Sequence, residues 1–200
     1  MKTIIQESLP NSYSYSDYRK AVADLFLKGK SSGNDQSESL TFYSELNITR
    51  MNRLDKTMRI DDEVAQKLVA LNKEYIWLVL AEGWCGDVAQ LLPIFNKMAE
   101  LYPKIELKIV FRDENENLMN QFLTNGAKAI PKLIVLNKET LEVKGIWGAR
   151  PKGATDLIKN YKAKFGIVDE KAKAELQLWY LHDKGISTQK ELITLMVNLD

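Results

Sequence analysis

A short segment around the only cysteine of the chain carries the residues best suited to chemistry. Trp84, Cys85, Gly86 and Asp87 follow an unbroken apolar run over 76–81 and precede an amphipathic pattern. This order predicts a buried strand, a tight turn and a helix that begins at the cysteine. The positive end of a helix dipole and the free N–H groups there favour a thiolate over a thiol.

Asp87 introduces an opposing influence, because a carboxylate near a sulfur disfavours the thiolate. The sequence leaves open which influence is larger, and therefore the direction of the Cys85 pKa shift. Arg112 and Arg150 could offset the carboxylate if both lie at the same end of the sheet. We take Cys85 and Asp87 as candidate catalytic residues and the two arginines as their candidate support. The ordinary alternatives are a small core residue, a helix-start acid and two surface charges.

The elements that must position this segment follow from hydrophobic periodicity. From residue 75 onward the pattern predicts the order β-α-β-α-β-β-α, with strands over 76–81, 105–111, 132–136 and 141–147. The last two strands are separated by a short polar link, which predicts an antiparallel hairpin. The fold class is therefore α/β, a mixed sheet with helices on both faces and the 76–81 strand at its centre.

Helical patterns flank this unit on both sides. Ser16, Ser39 and the acids from Asp61 onward are candidate starts of three N-terminal helices, and 169–181 and 188–199 predict two more at the end. We therefore predict three segments. They are a helical N-terminal extension (1–73) packing on the core, an α/β domain (74–165) and a C-terminal helical extension (166–200).

Four features, in the same order and at the same spacing, resemble the thioredoxin family. The first is the turn 84–86 between a strand and a helix. Pro93 lies eight residues after Cys85, where thioredoxins carry a helix-kinking proline. Pro131 lies 46 residues after Cys85 and precedes the third strand, as the family's cis-proline does. The segment 148–153 is similar to the glycine-to-lysine segment that opens the last thioredoxin helix.

The resemblance covers roughly half of the chain and implies a thioredoxin-like fold. It also implies a cis Ile130–Pro131 bond beside Cys85, with Trp84, Gly86, Ile130 and Pro131 forming the substrate-binding surface. The segments 84–87, 112–115 and 123–126 further resemble a bacterial group of single-cysteine thioredoxin-like proteins.

Two departures from the family pattern bear on function. Thioredoxins carry proline and then cysteine after Cys-Gly, whereas this chain has Asp87 and Val88. The resolving thiol is absent, so the two-cysteine exchange cycle cannot run within one chain. Val79 replaces the buried acid that many thioredoxins carry six residues before the first cysteine.

Three functions follow from this comparison. The resemblance implies a monothiol thiol–disulfide oxidoreductase that uses Cys85 through mixed disulfides. Its partners would be protein or peptide thiols and disulfides, or a low-molecular-weight thiol. The alternative is a non-catalytic module that binds peptides or proteins. Iron–sulfur binding by a dimer, as in monothiol glutaredoxins, is less favoured because those proteins carry Phe-Ser after Cys-Gly.

Composition argues against several other classes. The chain has 28 Lys and Arg against 27 Asp and Glu, with no basic stripe to suit a nucleic acid. No apolar run is long enough to span a membrane, and the N-terminus turns polar too early for a signal peptide. We therefore expect a cytoplasmic protein. With one cysteine and one histidine, His182, we expect no metal site and no cofactor.

Overall fold

A computed structural model describes all 200 residues and contains one four-stranded mixed sheet. The strands lie in the order β2-β1-β3-β4; β1 is parallel to β2 and antiparallel to β3, and β3 is antiparallel to β4. Their bounds are β1 Tyr75–Ala81, β2 Ile105–Phe111, β3 Lys132–Asn137 and β4 Val143–Gly148. The predicted α/β class, with a mixed sheet and the 76–81 strand at its centre, is confirmed.

Strand β1 is central because its sequence has no polar face. All seven of its residues are buried, and Val79 lies between Ile109 of β2 and Leu133 of β3. Helices can therefore cover both faces of the sheet, as the unbroken apolar run indicates. The carboxyl end of this strand leads directly into the segment that carries Cys85.

Nine α-helices surround the sheet. In chain order they are α1 Lys2–Ser8, α2 Tyr15–Leu27, α3 Glu38–Thr57, α4 Asp62–Val69, α5 Gly86–Leu101, α6 Glu116–Met119, α7 Lys152–Phe165, α8 Glu170–Asp183 and α9 Ile186–Leu199. Helix α1 was not expected from the sequence. The helix expected after β2 is reduced to a 3-10 turn, Asp113–Asn115, and the four residues of α6.

The hairpin differs from expectation at the start of β4, which begins at Val143 rather than residue 141. Leu141 has a φ of 57°, a left-handed conformation that does not continue a strand. Its amide donates to the carbonyl of Asn137 (2.9 Å), and the Asn137 side chain accepts from the amide of Thr140 (2.8 Å). The turn is therefore longer than the polar link alone predicts.

Both helical extensions pack on the sheet domain and share its core. A single cluster of 45 buried residues includes Ile5, Tyr18 and Met51 from the N-terminal segment and Leu192 and Met196 from the C-terminal one. Helix α3 lies against α5, and α9 contacts α4, α5 and β4. The division at 73 and 165 remains a prediction about folding units. No helix is both long and apolar enough to cross a membrane.

Candidate functional site

Cys85 is the N-cap residue of α5, at the end of a turn that follows β1. Its amide donates to the carbonyl of Glu82 (3.1 Å), and its own carbonyl accepts the amide of Ala89 (3.1 Å). The thiol thus lies beside the first turn of a 16-residue helix, as the apolar run and the glycine predict.

The thiol faces the loop that precedes β3. Cys85 is only 9% exposed, and its Sγ donates a hydrogen bond to the carbonyl of Ile130 at 3.5 Å. The Ile130–Pro131 peptide bond is cis, and both of these residues are buried. Cys85 and the 130–131 loop, which are 45 residues apart in the chain, therefore form one site.

The environment of Cys85 favours the neutral thiol. Burial raises the pKa of the Cys85 thiol to about 12, and the negative charge of Asp87 adds to this shift. The nearby backbone amides of Val88 and Asp87, and the positive charge of Arg150, lower the pKa by less. The pKa shift of Cys85, whose direction the sequence left open, is therefore upward, and desolvation is its main cause.

Asp87 is buried and held by two side chains. Its Oδ2 accepts hydrogen bonds from Nε (2.8 Å) and pairs with Nη2 (2.7 Å) of Arg150, and its Oδ1 accepts from the Tyr180 hydroxyl (2.8 Å). Tyr180 belongs to α8, so the C-terminal extension reaches the first turn of α5. Arg150 thus supports Asp87 as expected from the sequence, while the contribution of Tyr180 was not anticipated.

Arg112 does not approach Asp87 and has another role. Its guanidinium lies 5.0 Å from the ring centroid of Trp84 and pairs with Asp113 at 2.7 Å. It also donates to the carbonyl of Lys128 (3.4 Å), at the start of the 130–131 loop. Arg112 therefore joins the half-buried Trp84 to this loop and does not balance the charge of Asp87.

Helices α3 and α8 cover one side of the turn at Gly86. A Cβ atom added at Gly86 would lie 3.3 Å from Nε2 of Gln177 and 3.6 Å from Nη1 of Arg50. Gln177 also accepts a hydrogen bond from Gln90 of α5 at 2.7 Å. Gly86 is therefore partly enclosed by both extensions, which explains the low exposure of the neighbouring sulfur.

Glu82 is a site residue that the sequence analysis missed. Its carboxylate is fully buried, accepts from the amide of Asp113 (2.9 Å) and accepts from the hydroxyl of Ser32. The same hydroxyl accepts the amide of Gly83 (2.8 Å), and Asn47 donates to the Gly83 carbonyl (2.9 Å). An acid at the end of an apolar run, directly before the cysteine segment, was the available signal. The N-terminal extension thus fixes the turn through buried polar contacts.

Glu82 should make stability depend on pH in an unusual direction. Burial raises the pKa of Glu82 from 4.5 to about 7, although hydrogen bonds from Ser32 and Asp113 oppose the shift. The folded state then binds the proton more tightly than the unfolded state, so stability falls as pH rises from about 4.5 to 7. Glu82→Gln should remove about 3 kcal/mol of this pH dependence.

Urea unfolding at pH 5 and pH 8 checks this expectation. The variant should be more stable than the wild type at pH 8, with the advantage shrinking toward pH 5. Glu114→Gln, at an exposed acid nearby, is the matched control and should leave the profile unchanged. Identical profiles for Glu82→Gln and the wild type would show that Glu82 is ionised in the folded protein throughout this range.

No group of three or more His, Cys, Asp and Glu side chains is placed to hold a metal ion. His182, the single histidine, is exposed on α8 and has no contact with the cysteine site. The site brings together one thiol, one carboxylate held by Arg150 and Tyr180, and the backbone of the 130–131 loop.

A β2-β1-β3-β4 mixed sheet, with a cysteine at the start of α5 facing an X–Pro loop, defines a thioredoxin-like protein that lacks a second thiol. Comparison with known families agrees: a thioredoxin family model matches residues 33–162. The chain belongs to the thioredoxin family, and the match includes α3 and α4 of the N-terminal extension.

Two solved structures are similar to this chain over most of its length. One is an HIV epitope scaffold with 20% identity and a TM-score of 0.57. The other is a protein of unknown function from Pseudomonas aeruginosa with 19% identity and a TM-score of 0.57. Each alignment covers 89% of this chain and 98% of the other. At these identities the likeness supports the fold alone. No curated protein matches the sequence.

Proposed function

We propose that this protein is a thioredoxin-fold binding module that holds an extended peptide against the 130–131 loop while Cys85 stays a neutral thiol. The observation that carries the proposal is the hydrogen bond from Cys85 Sγ to the Ile130 carbonyl, made by a residue only 9% exposed. A thiol that donates a proton in this way is not poised as a nucleophile, because the thiolate is the reactive form.

The surface around the thiol has features that suit peptide binding. The amide of Ile130 donates no hydrogen bond within the chain, so it is free to pair with an extended segment. Residues 127–128 are exposed beside it, and Trp84 with Arg112 forms the opposite wall. Backbone pairing would supply affinity, and the aromatic wall would supply contact area.

A monothiol oxidoreductase is the second candidate, favoured by the backbone amides of Asp87 and Val88 near the sulfur and by the nearby charge of Arg150, all of which lower the pKa of Cys85. In this reaction the Cys85 thiolate attacks one sulfur of a substrate disulfide and forms a mixed disulfide, releasing the other sulfur as a thiolate. A low-molecular-weight thiolate then attacks the mixed disulfide and releases Cys85. One substrate sulfur is thereby released as a thiol, and the other ends in a mixed disulfide with the incoming small thiol, so that one disulfide is exchanged for another.

Both functions fit a reducing compartment, where a lone thiol stays free of disulfide bonds. We propose the cytoplasm as the location on this ground. A protein or peptide is the proposed partner of the binding module, and a disulfide or small thiol is the proposed partner of the enzyme.

Peptide selection followed by variant analysis separates these candidates. Peptides selected from a random library should perturb the amide resonances of Ile130 and Trp84. Trp84→Ala should weaken binding roughly tenfold or more, as loss of an aromatic anchor does, while Phe42→Ala, at an exposed aromatic on α3, should not. Cys85→Ser should retain binding. Loss of binding in Cys85→Ser, together with a mixed disulfide found by mass spectrometry, would favour the enzyme. Peptides that bind elsewhere, or none at all, would overturn the binding module.

A further inference from the structure

A second cleft lies away from the cysteine, between α3, α5 and the junction of α8 with α9. Its volume is about 460 Å³, within the range of small-molecule sites. Cys85, Trp84 and the 130–131 loop do not line it. The cleft therefore does not include the thiol or its loop, although Tyr180, which holds Asp87, also lines it.

The apolar part of the lining comes from facing helices. Leu54 of α3, Met58 directly after α3 and Ile94 of α5 are buried, and Leu181 of α8 remains 48% exposed at the cleft. The two polar buried residues of the lining already have partners, since Gln90 bonds to Gln177 and Tyr180 bonds to Asp87. A ligand would therefore meet a mainly apolar floor.

The charged part of the lining is entirely positive. Arg53, Arg59 and Lys184 line the cleft, and no acidic residue does. None of the three forms a salt bridge, and the guanidinium of Arg59 donates hydrogen bonds only to backbone carbonyls. The neighbouring acid Asp183 is hydrogen-bonded to Ser187 and lies outside the lining. The positive charges of these three exposed side chains thus have no acidic partner at the cleft.

We propose that this cleft binds an amphipathic monocarboxylate, such as a medium-chain fatty acid. The apolar chain would lie along Leu54, Met58 and Ile94, where it is removed from water. The carboxylate would meet Arg53, Arg59 and Lys184, because guanidinium groups pair with carboxylates through charge-assisted hydrogen bonds. An apolar floor beside charged residues that are all positive fits a ligand with one anionic head and one apolar tail better than a ligand with many polar groups.

Titration calorimetry with decanoate, kept below its micelle concentration, tests the proposal. We expect saturable binding at one site, and weaker binding of decanol and decylamine, which share the chain but lack the negative charge. Arg53→Glu should weaken decanoate binding roughly tenfold or more. Arg53 is exposed and its side chain makes no hydrogen bond or ion pair, so this variant should keep its fold, which thermal unfolding would verify.

Two controls make the result specific to the cleft. Lys159→Glu makes the same type of charge reversal at an exposed residue of α7 and should leave the affinity unchanged. Cys85→Ser should also bind decanoate normally, because the thiol does not line the cleft. No saturable binding, equal binding of decanol, or equal weakening by Lys159→Glu would overturn the proposal.

Discussion

At pH 7.5, Cys85 should react with iodoacetamide at least about 30-fold more slowly than an unperturbed cysteine. Its pKa is raised from 9.0 to about 12 by burial and by Asp87. Three pKa units lower the thiolate population about 1,000-fold at this pH. The more basic thiolate is intrinsically more nucleophilic, which offsets part of this loss. The rate measured from pH 7 to 11 should keep rising without a plateau.

Asp87→Asn tests the electrostatic part of this shift. Removing the carboxylate charge leaves Arg150 facing the sulfur, so the pKa should fall and alkylation should accelerate. Asp156→Asn, which removes an exposed acid paired with Lys152 on α7, should have no effect. Alkylation in urea should be normal for every variant, because unfolding removes burial. A wild-type plateau near pH 7 would contradict the neutral thiol and favour the oxidoreductase.

The strands were predictable because their signals are local. The run over 76–81 is short and has no polar face, which favours a strand buried on both sides, and it forms the centre of the sheet. The start of β4 was not predictable, since it depends on the left-handed conformation of Leu141 and the turn bonds of Asn137. Such turns depend on backbone geometry that hydrophobic periodicity does not encode.

The site was predictable only where its residues belong to a recognised pattern. Cys85 and the 130–131 loop were expected to meet because of the family resemblance, and they do. The contacts of Tyr180 with Asp87 and of Gln177 with Gln90 join residues 93 and 87 positions apart. They depend on how α8 packs on α5, which no local pattern specifies. Glu82 was not predicted because the family pattern places its buried acid at the position of Val79, three residues earlier in the chain.

Asp87 links the site to the C-terminal extension, so its removal should have a large effect on stability. Asp87→Ala would leave the guanidinium of Arg150 and the hydroxyl of Tyr180 without their shared partner. Breaking a buried ion pair by removing one side costs about 3 kcal/mol or more, because the other charge stays in a poor solvent environment. We therefore expect the free energy of unfolding in urea to fall by about 3 kcal/mol.

A double-mutant cycle distinguishes the ion pair from a general packing defect. Arg150→Met removes the positive charge but keeps much of the apolar stem. The double variant, Asp87→Ala with Arg150→Met, should therefore regain part of the unfolding free energy that Asp87→Ala alone loses. The coupling energy should be clearly larger than that of the exposed Lys173–Glu170 pair, because water screens the charges of that pair. If the effects of Asp87→Ala and Arg150→Met on the free energy of unfolding simply add, then the ion pair contributes nothing to stability beyond packing. Asp87→Asn should fall between the wild type and the alanine variant, since an amide still accepts the hydrogen bond from Tyr180 at a buried position.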